Sequence, residues 1–124
     1  EENLCYLQGM TNLIFKIISK AVWAKAVEDG VFLGAAIDLA DGYIHFSTAR
    51  QAEETAKRHF AGQDNLLLVA FDSAQWGENL KWEPSRGGAL FPHLYDSLDP
   101  KSALWAKPLP WTGDHHEFPE GWAL

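Results

Sequence analysis

The sequence has 124 residues, which favours one domain, and 47% of them are hydrophobic, which is ample for one core. A net charge of −7 excludes the broad basic surface of a protein that binds duplex nucleic acid, although it is compatible with a local basic pocket. A single cysteine excludes an internal disulfide framework and fits a reducing cytosol, so a cytoplasmic location is expected.

The first ten residues, EENLCYLQGM, differ in character from the rest of the chain. They resemble a protease-cleavable linker of the form E-N-L-x-Y-x-Q-G, from which Cys5 and Leu7 depart, and a native extension before Met10 is the alternative. No signal-peptide pattern and no apolar run near the ~20 residues of a membrane span are visible, so no membrane partner is expected. We predict a leader over 1–10 and a single domain over 11–124, in an oligomeric state that the sequence leaves open.

The first third of the chain predicts a strand, a helix and a loop. NLIFKIIS (12–19) is rich in β-branched residues and predicts a strand. Ser19 is placed to cap a helix of roughly ten residues, and Gly30 ends it. The stretch 31–42 has no clean hydrophobic period, so we predict an ordered loop there.

The middle of the chain predicts a second strand and helix, followed by a buried strand. YIHFS (43–47) predicts the strand. The T-x-x-Q pattern of Thr48 and Gln51 predicts a capping box that opens a helix ending near Gly62. NLLLVAFD (65–72) is a continuous apolar run, which is typical of a central strand buried on both faces.

The last part of the chain predicts short elements between turns. Strands are predicted at 80–83, at Leu94–Tyr95 and at 103–109. A helical turn is predicted at Pro100, and Trp111 and Trp122 are candidate anchors of an irregular tail. Because strands dominate after two early helices, the chain predicts an α+β fold with a small mixed or antiparallel sheet and two main helices.

One face of strand 43–47 is predicted to carry a row of polar side chains. Since side chains alternate along a strand, placing Ile44 and Phe46 in the core turns Tyr43, His45 and Ser47 to the other face. A phenol, an imidazole and a hydroxyl in one row suit ligand binding. The alternative is a half-exposed strand with a solvated polar face.

The stretch PSRGGALFPHLY is the second candidate site. Gly87 and Gly88 permit unusual backbone dihedrals, and successive N–H groups there can form an anion nest. Arg86 adds a fork of donors for phosphate or carboxylate, and His93 follows shortly after. The alternative is a tight surface turn with a stacking histidine.

Two further charged residues fall in predicted strands. Lys16 lies inside the first apolar strand, where it must snorkel, pair or reach a cleft. Glu83 is a candidate acid or charge partner, and its alternative is a surface carboxylate. His115 and His116 point in opposite directions on an extended segment, and no H-x₃-H or C-x₂-C spacing is present, so no metal site is predicted.

Three blocks of the sequence are similar to the DUF952 family, small bacterial and plant proteins with no established function. The blocks are IFKIISKAVWAKAVEDGVF, DLADGYIHFSTARQAEETAKRHF and WEPSRGGALFPHLYDSL, and they occur in this order within 13–107. The first two blocks also resemble, more distantly, the opening strands and helices of ADP-ribosyltransferase-like proteins. That resemblance implies their split-sheet α+β fold.

The distant resemblance also implies roles for individual residues. Lys16 stands where those proteins have a histidine, and His45 stands where they have a tyrosine that stacks on nicotinamide. Their late-strand glutamate corresponds best to His93, with Glu83 as the alternative. The chain thus departs from the usual His-Tyr-Glu set at each position, and RNA 2′-phosphotransferase relatives use basic residues on a similar scaffold.

Together these positions imply a cleft for NAD or a phosphorylated nucleotide, with transfer or hydrolysis at the nicotinamide ribose. NAD would be a substrate, and no resident cofactor is implied. The implied catalytic residues are His45, His93 and Arg86. The implied ligand contacts are Lys16, Tyr43, Ser47, Thr48, Glu83, Gly87 and Gly88. The alternative is a non-catalytic module that binds a small anion or a protein, and the enzyme hypothesis requires the three catalytic residues to converge on one cleft.

Overall fold

The computed structural model describes residues 12–123, and of Arg86 it describes only the backbone. The elements in chain order are β1 (Leu13–Ser19), α1 (Lys20–Asp29), α2 (Ala36–Asp41), β2 (Ile44–His45), α3 (Ala49–His59), β3 (Leu66–Asp72), β4 (Leu80–Pro84), β5 (Leu90–Leu94) and β6 (Trp105–Leu109). Short 3₁₀ segments cover Ser73–Asn79, Arg86–Gly88 and Pro100–Ser102. The fold is α+β, as predicted, and the predicted leader over 1–10 lies outside the described residues.

The strands form two antiparallel sheets of three strands each within the described residues. The first sheet has the order β1–β3–β6, and the second has the order β2–β5–β4. β3 is central in the first sheet, as its continuous apolar run predicted. Its side chains are buried on both faces because hydrophobic clusters cover both sides of that sheet.

The segment 44–47 joins the two sheets. Ile44 and His45 pair with Leu94 and His93 of β5 in the second sheet. Two residues later Ser47 exchanges both backbone hydrogen bonds with Phe15 of β1, at 2.8 Å each. One short strand therefore leaves the second sheet and joins the first, and the two sheets separate beside it.

Caps fix the ends of the two longer helices as the sequence predicted. The Ser19 hydroxyl accepts a hydrogen bond from the N–H of Val22 at 3.1 Å, and Gly30 ends α1 in the left-handed region at φ 79°. At the start of α3, the Gln51 side-chain oxygen accepts from the Thr48 N–H at 3.0 Å. The Gln51 amide also donates to the Leu90 carbonyl at 2.8 Å, which ties α3 to β5.

The predicted loop at 31–42 is wrong in part, because α2 occupies its second half. This helix has six residues, too few to show a hydrophobic period. Its buried residue is Asp38, whereas Ile37 and Leu39 are 59% and 64% exposed. A helix that turns a carboxylate inward and apolar side chains outward gives the opposite of an amphipathic pattern.

Of the two predicted tryptophan anchors, Trp122 packs the tail against the body of the protein, whereas Trp111 holds it through its backbone N–H, which donates to Asp64 at 3.0 Å. Trp122 makes an edge contact with Phe15 at 5.0 Å between ring centroids, and Trp111 contacts His116 at 4.9 Å. None of the helices within 12–123 combines the length and the apolar character needed to cross a membrane.

Candidate functional site

A cleft of about 480 Å³ opens where the two sheets separate. Its apolar wall is formed by Phe15, Ile17, Phe46, Phe60 and Phe91. Its polar wall includes Asp41, His45, Ser47, Thr55, His59, Ser85 and His93. Mostly apolar clefts of this size, with a few convergent polar groups, are typical of small-molecule sites.

His45 lies in this cleft with both ring nitrogens beside carboxylates. Its Nδ1 is 2.6 Å from Asp38 Oδ1, and its Nε2 is 2.9 Å from Asp41 Oδ2. Ile44 and Phe46 are buried on either side of it, so the predicted alternation along this strand is confirmed. With both nitrogens engaged within the protein, the ring offers a ligand its face and not a free lone pair.

Asp38 is the centre of the network that holds His45. Asp38 is 1% exposed. In addition to its contact with the His45 ring, its carboxylate accepts hydrogen bonds from the backbone N–H of Ala35, 2.8 Å long, and from that of His45, 3.0 Å long. Burial would raise the pKa of Asp38, but the hydrogen bond from His45 and the charge and hydrogen bond of Lys16 outweigh it and lower this pKa to about 2. Asp38 is therefore ionised at neutral pH.

Lys16 supplies the positive charge in the same network. Its Nζ is 3.0 Å from Asp38 Oδ1 and 2.9 Å from Oδ2, and it donates to the His45 carbonyl at 2.8 Å. The side chain crosses from β1 to the strand that joins the sheets, and the residue is 5% exposed. Burial lowers the pKa of Lys16, against the opposing influence of Asp38. Of the three roles that the sequence allowed for Lys16, the structure shows two, because Lys16 pairs with Asp38 and also lines the cleft.

His93 is the cross-strand partner of His45 in the second sheet, and it is held by a different carboxylate. Its Nδ1 is 2.7 Å from Glu83 Oε1, which also accepts the Tyr95 hydroxyl at 2.8 Å. Hydrogen bonds from His93, and then from Tyr95, lower the pKa of Glu83, so this carboxylate is ionised. An ionised carboxylate only accepts, so the Nδ1 of His93 carries the proton.

Tyr43 joins the two histidines into one aromatic group. Its ring stacks on His93 at 4.1 Å between centroids with an interplanar angle of 27°, and it lies 4.7 Å from His45. The two imidazoles are 5.5 Å apart, edge to face. Two of the three residues that were predicted to converge, His45 and His93, line one cleft, and the side chain of Arg86 lies outside the part of the chain that the structure describes.

The glycine turn lies beside the cleft. Gly87 and Gly88 have φ values of 70° and 82°, in the left-handed region that the sequence predicted for them. The Gly88 N–H donates to the Ser85 carbonyl at 2.8 Å, so that amide closes the turn and does not point to a ligand. Ser85 lines the cleft, which brings the backbone of Arg86 next to it.

The two predicted hydroxyl contacts have structural partners. The Ser47 hydroxyl donates to the Thr55 hydroxyl at 3.1 Å, which joins the strand to α3 beside the cleft. The Thr48 N–H is used in the helix cap. Ser47 lines the cleft and remains a candidate contact, whereas Thr48 begins α3.

The tail histidines lie apart from the cleft and from each other. His116 is 7% exposed, with its Nε2 2.9 Å from the Gln63 carbonyl. His115 pairs with its neighbour Asp114 at 2.6 Å. Within residues 12–123, no group of three or more histidine, cysteine or acidic side chains is arranged to hold a metal ion.

Sequence reasoning missed most of the apolar wall and several polar residues that the structure brings to the site, among them Asp38, Asp41, Thr55 and His59. Asp38 and Asp41 fell in the stretch predicted as a loop, and Thr55 and His59 lie on the face of α3 that meets the cleft. A signal for Asp38 was present, because a lysine inside an apolar strand needs a buried counter-charge. The acidic residues just before the His45 strand were the candidates to supply it.

Comparison with known proteins gives a family and solved structures. The family model described as "Protein of unknown function (DUF952)" matches residues 17–106. The crystal structure of protein CC0527 from Caulobacter crescentus, a structural-genomics target, is 48% identical with a TM-score of 0.82, over 85% of this chain and 93% of that chain. The solution NMR structure of CC0527, also 48% identical, gives a TM-score of 0.77 over 85% and 90%. A search among curated proteins gives no match.

Proposed function

The chain belongs to the DUF952 family, and from this premise we propose that its cleft binds NAD or a related phosphorylated nucleotide on an ADP-ribosyltransferase-like scaffold. The proposed chemistry is transfer or hydrolysis at the nicotinamide ribose. The observation that carries the proposal is the convergence of two carboxylate-held imidazoles, 5.5 Å apart, on one cleft between split antiparallel sheets.

The shape of the cleft supports a ligand with a flat ring. Phe15, Phe46 and Phe91 contribute aromatic surface to its walls, and His45 adds a ring whose edge is already occupied by carboxylates. Aromatic walls favour offset or edge contacts with a planar heterocycle such as nicotinamide or a nucleobase. A volume of about 480 Å³ suits a nucleoside-sized portion of the ligand.

The charge around the cleft supports chemistry that passes through a cation. Loss of nicotinamide from NAD develops positive charge on the ribose, and fixed anions nearby stabilise such a transition state. Asp41 lines the cleft, and Glu83 lies directly behind His93. Arg86, which follows Ser85, is the proposed contact for the phosphates, and the Gly88 amide is not part of it because it closes the turn.

Lys16 takes a different part from the one that the resemblance implied. Lys16 lines the cleft, but Asp38 and the His45 carbonyl engage its ammonium, so in this proposal it positions His45 and donates no hydrogen bond to the ligand. Breaking that pair to reach a ribose hydroxyl would leave Asp38 buried without its counter-charge.

The second candidate is a non-catalytic module that binds a small anionic ligand. The observation that favours it is that Lys16 and both nitrogens of His45 are engaged within the protein. A site whose charged groups are held by one another can bind a ligand by shape and still lack a group that moves a proton. Both candidates bind a ligand in the cleft, but only the enzyme converts it to products.

Calorimetric titration with NAD and with ADP-ribose, followed by assay of nicotinamide release, tests the proposal. We expect saturable heat from the wild type and from His115→Ala, an exposed histidine outside the cleft, and weaker binding by His45→Ala and His45→Gln. Nicotinamide release by the wild type supports the enzyme, and binding without release favours the module. Absence of heat from both ligands at millimolar concentration contradicts the proposed nucleotide site.

A further inference from the structure

We propose that His93 is the proton acceptor of the cleft and that Glu83 is the residue that positions it. This inference rests on the proposed function, because it names the group that would activate water, or an acceptor hydroxyl, for attack on the nicotinamide ribose.

The hydrogen bonding of His93 leaves one nitrogen available to the cleft. Its Nδ1 donates to Glu83 Oε1 at 2.7 Å, so the neutral ring has its lone pair on Nε2. Among the side chains that the structure describes, none makes a hydrogen bond with this Nε2. The ring is 3% exposed, and it still lines the cleft. An imidazole with one nitrogen bound to a carboxylate and the other directed to a site is the arrangement of a general base.

The ring of His93 is fixed in orientation from several sides. Tyr43 stacks on one face at 4.1 Å, and His45 meets it edge to face at 5.5 Å. The Tyr95 hydroxyl donates to the same Glu83 oxygen and holds that carboxylate in place. A catalytic ring positioned before the ligand arrives needs no reorganisation during the reaction.

Two other histidines of the described chain make comparable hydrogen bonds but do not meet the requirements of a general base in the cleft. His45 has both nitrogens engaged by carboxylates, so no lone pair faces the cleft. The Nε2 of His116 lies 2.9 Å from the Gln63 carbonyl, in the tail. Of these three histidines, His93 combines a carboxylate partner, a place on the cleft and an unused ring nitrogen, and His59 of α3 lines the cleft as well.

The proposed hydrolytic step balances with NAD and water alone. The water oxygen forms a bond to the anomeric carbon, and the bond between that carbon and the nicotinamide nitrogen breaks, its electron pair leaving with nicotinamide. One water proton passes to Nε2 of His93, which then releases it to solvent. Glu83 stays ionised throughout and stabilises the imidazolium. The products are ADP-ribose, nicotinamide and a proton.

The competing explanation is that the Glu83–His93 contact only joins β4 to β5. The experiment therefore compares His93→Ala, His93→Gln and Glu83→Gln with Asp114→Asn and His115→Ala. The Asp114–His115 pair has a similar carboxylate–imidazole contact, 2.6 Å long, on the exposed tail. NAD affinity, kcat and KM for nicotinamide release and rescue by added imidazole are measured for each variant, with thermal unfolding as a check of the fold.

We expect both His93 variants to bind NAD within about threefold of the wild type and to lose about 10² to 10⁴ in kcat. Imidazole should restore part of the activity of His93→Ala. Glu83→Gln should lower kcat about tenfold with KM unchanged, because the amide still accepts from Nδ1 but no longer stabilises the imidazolium. The tail variants should match the wild type.

Two results overturn the assignment of His93 while leaving the proposed function intact. One is a wild-type kcat in a folded His93→Ala or His93→Gln protein. The other is a lost kcat in His93→Ala that imidazole fails to restore while NAD still binds. A wild type that neither binds NAD nor releases nicotinamide overturns the proposed function itself, and this inference with it.

Discussion

Two of the three histidines that line the cleft, His45 and His93, stand in contrasting networks. The His45 network is closed: Asp38, Asp41 and Lys16 satisfy its ring and its carbonyl inside the protein. The His93 network is open: Glu83 holds Nδ1, the ring lines the cleft, and no described side chain makes a hydrogen bond with Nε2. A network whose charged groups all pair with one another stabilises the fold, whereas a network with an unpaired ring nitrogen leaves a group that can accept a proton. The contrast predicts that substitutions in the first network mainly reduce stability and those in the second mainly reduce activity.

The largest stability effect should come from Asp38→Asn. This substitution leaves the buried ammonium of Lys16 without a counter-charge. It also replaces a carboxylate that accepts two backbone N–H hydrogen bonds with an amide, whose oxygen is a weaker acceptor. Loss of one partner of a buried ion pair costs about 3–5 kcal/mol. Urea unfolding monitored by tryptophan fluorescence measures it. Asp41→Asn is the control, since its exposed carboxylate should cost less than about 1 kcal/mol, and equal losses in the two variants would contradict the contrast.

Acid titration of the wild type should reveal the same carboxylate with a smaller effect. The pKa of Asp38 is about 2 in the folded protein and near 3.8 otherwise. The unfolded chain therefore takes up this proton first as pH falls, so the stability that Asp38 contributes is present above pH 4 and is lost between about pH 4 and 2. A shift of this size corresponds to about 2 kcal/mol. The free energy of unfolding measured from pH 5 to 2 should fall less steeply in Asp38→Asn, and identical slopes would refute the assignment.

Lys16→Met should cost less than Asp38→Asn. The carboxylate of Asp38 keeps three donors after the change, namely the Ala35 N–H, the His45 N–H and the His45 ring. Methionine keeps the length of the side chain within the apolar strand, so we expect a loss of about 1–2 kcal/mol. Unfolding in urea gives the number, and a loss that exceeds that of Asp38→Asn would show that Lys16, and not Asp38, is the centre of the network.

The smallest stability effect should come from Glu83→Gln. Its carboxylate lies at the edge of the second sheet, and glutamine can still accept the hydrogen bonds of His93 and Tyr95. We expect an unfolding midpoint equal to that of the wild type within experimental error. Together with the expected loss in kcat, this separates the open network from the closed one, and a large fall in the midpoint would assign Glu83 to structure instead.

Much of the secondary structure could be predicted from the sequence because it depends on residues that are close together in the chain. The caps of Ser19 and Gln51, the continuous apolar run of β3 and the alternation around His45 all depend on neighbours in the chain. The separation into two sheets was not predictable in the same way. It depends on Ser47 pairing with Phe15, which is a contact between distant segments.

The candidate site was predictable where a residue type was unusual in its place. His45 and Lys16 were predicted because a histidine in an apolar strand and a lysine between core residues are unusual. Nothing in the neighbouring sequence showed that both residues contact Asp38. Asp38 was missed because its helix is too short for a period and turns its polar side chain inward. Residues such as Asp38 are found by asking which buried charge lacks a partner.

The most direct test of the central claim is a ¹⁵N-histidine correlation spectrum of the full chain, recorded before and after addition of NAD. The contrast predicts that His93 carries its proton on Nδ1 and that NAD shifts the ring signals of His93 and His45, while those of His115 and His116 stay unchanged. A proton on Nε2 of His93, or cleft signals that do not move at millimolar NAD, would contradict the account.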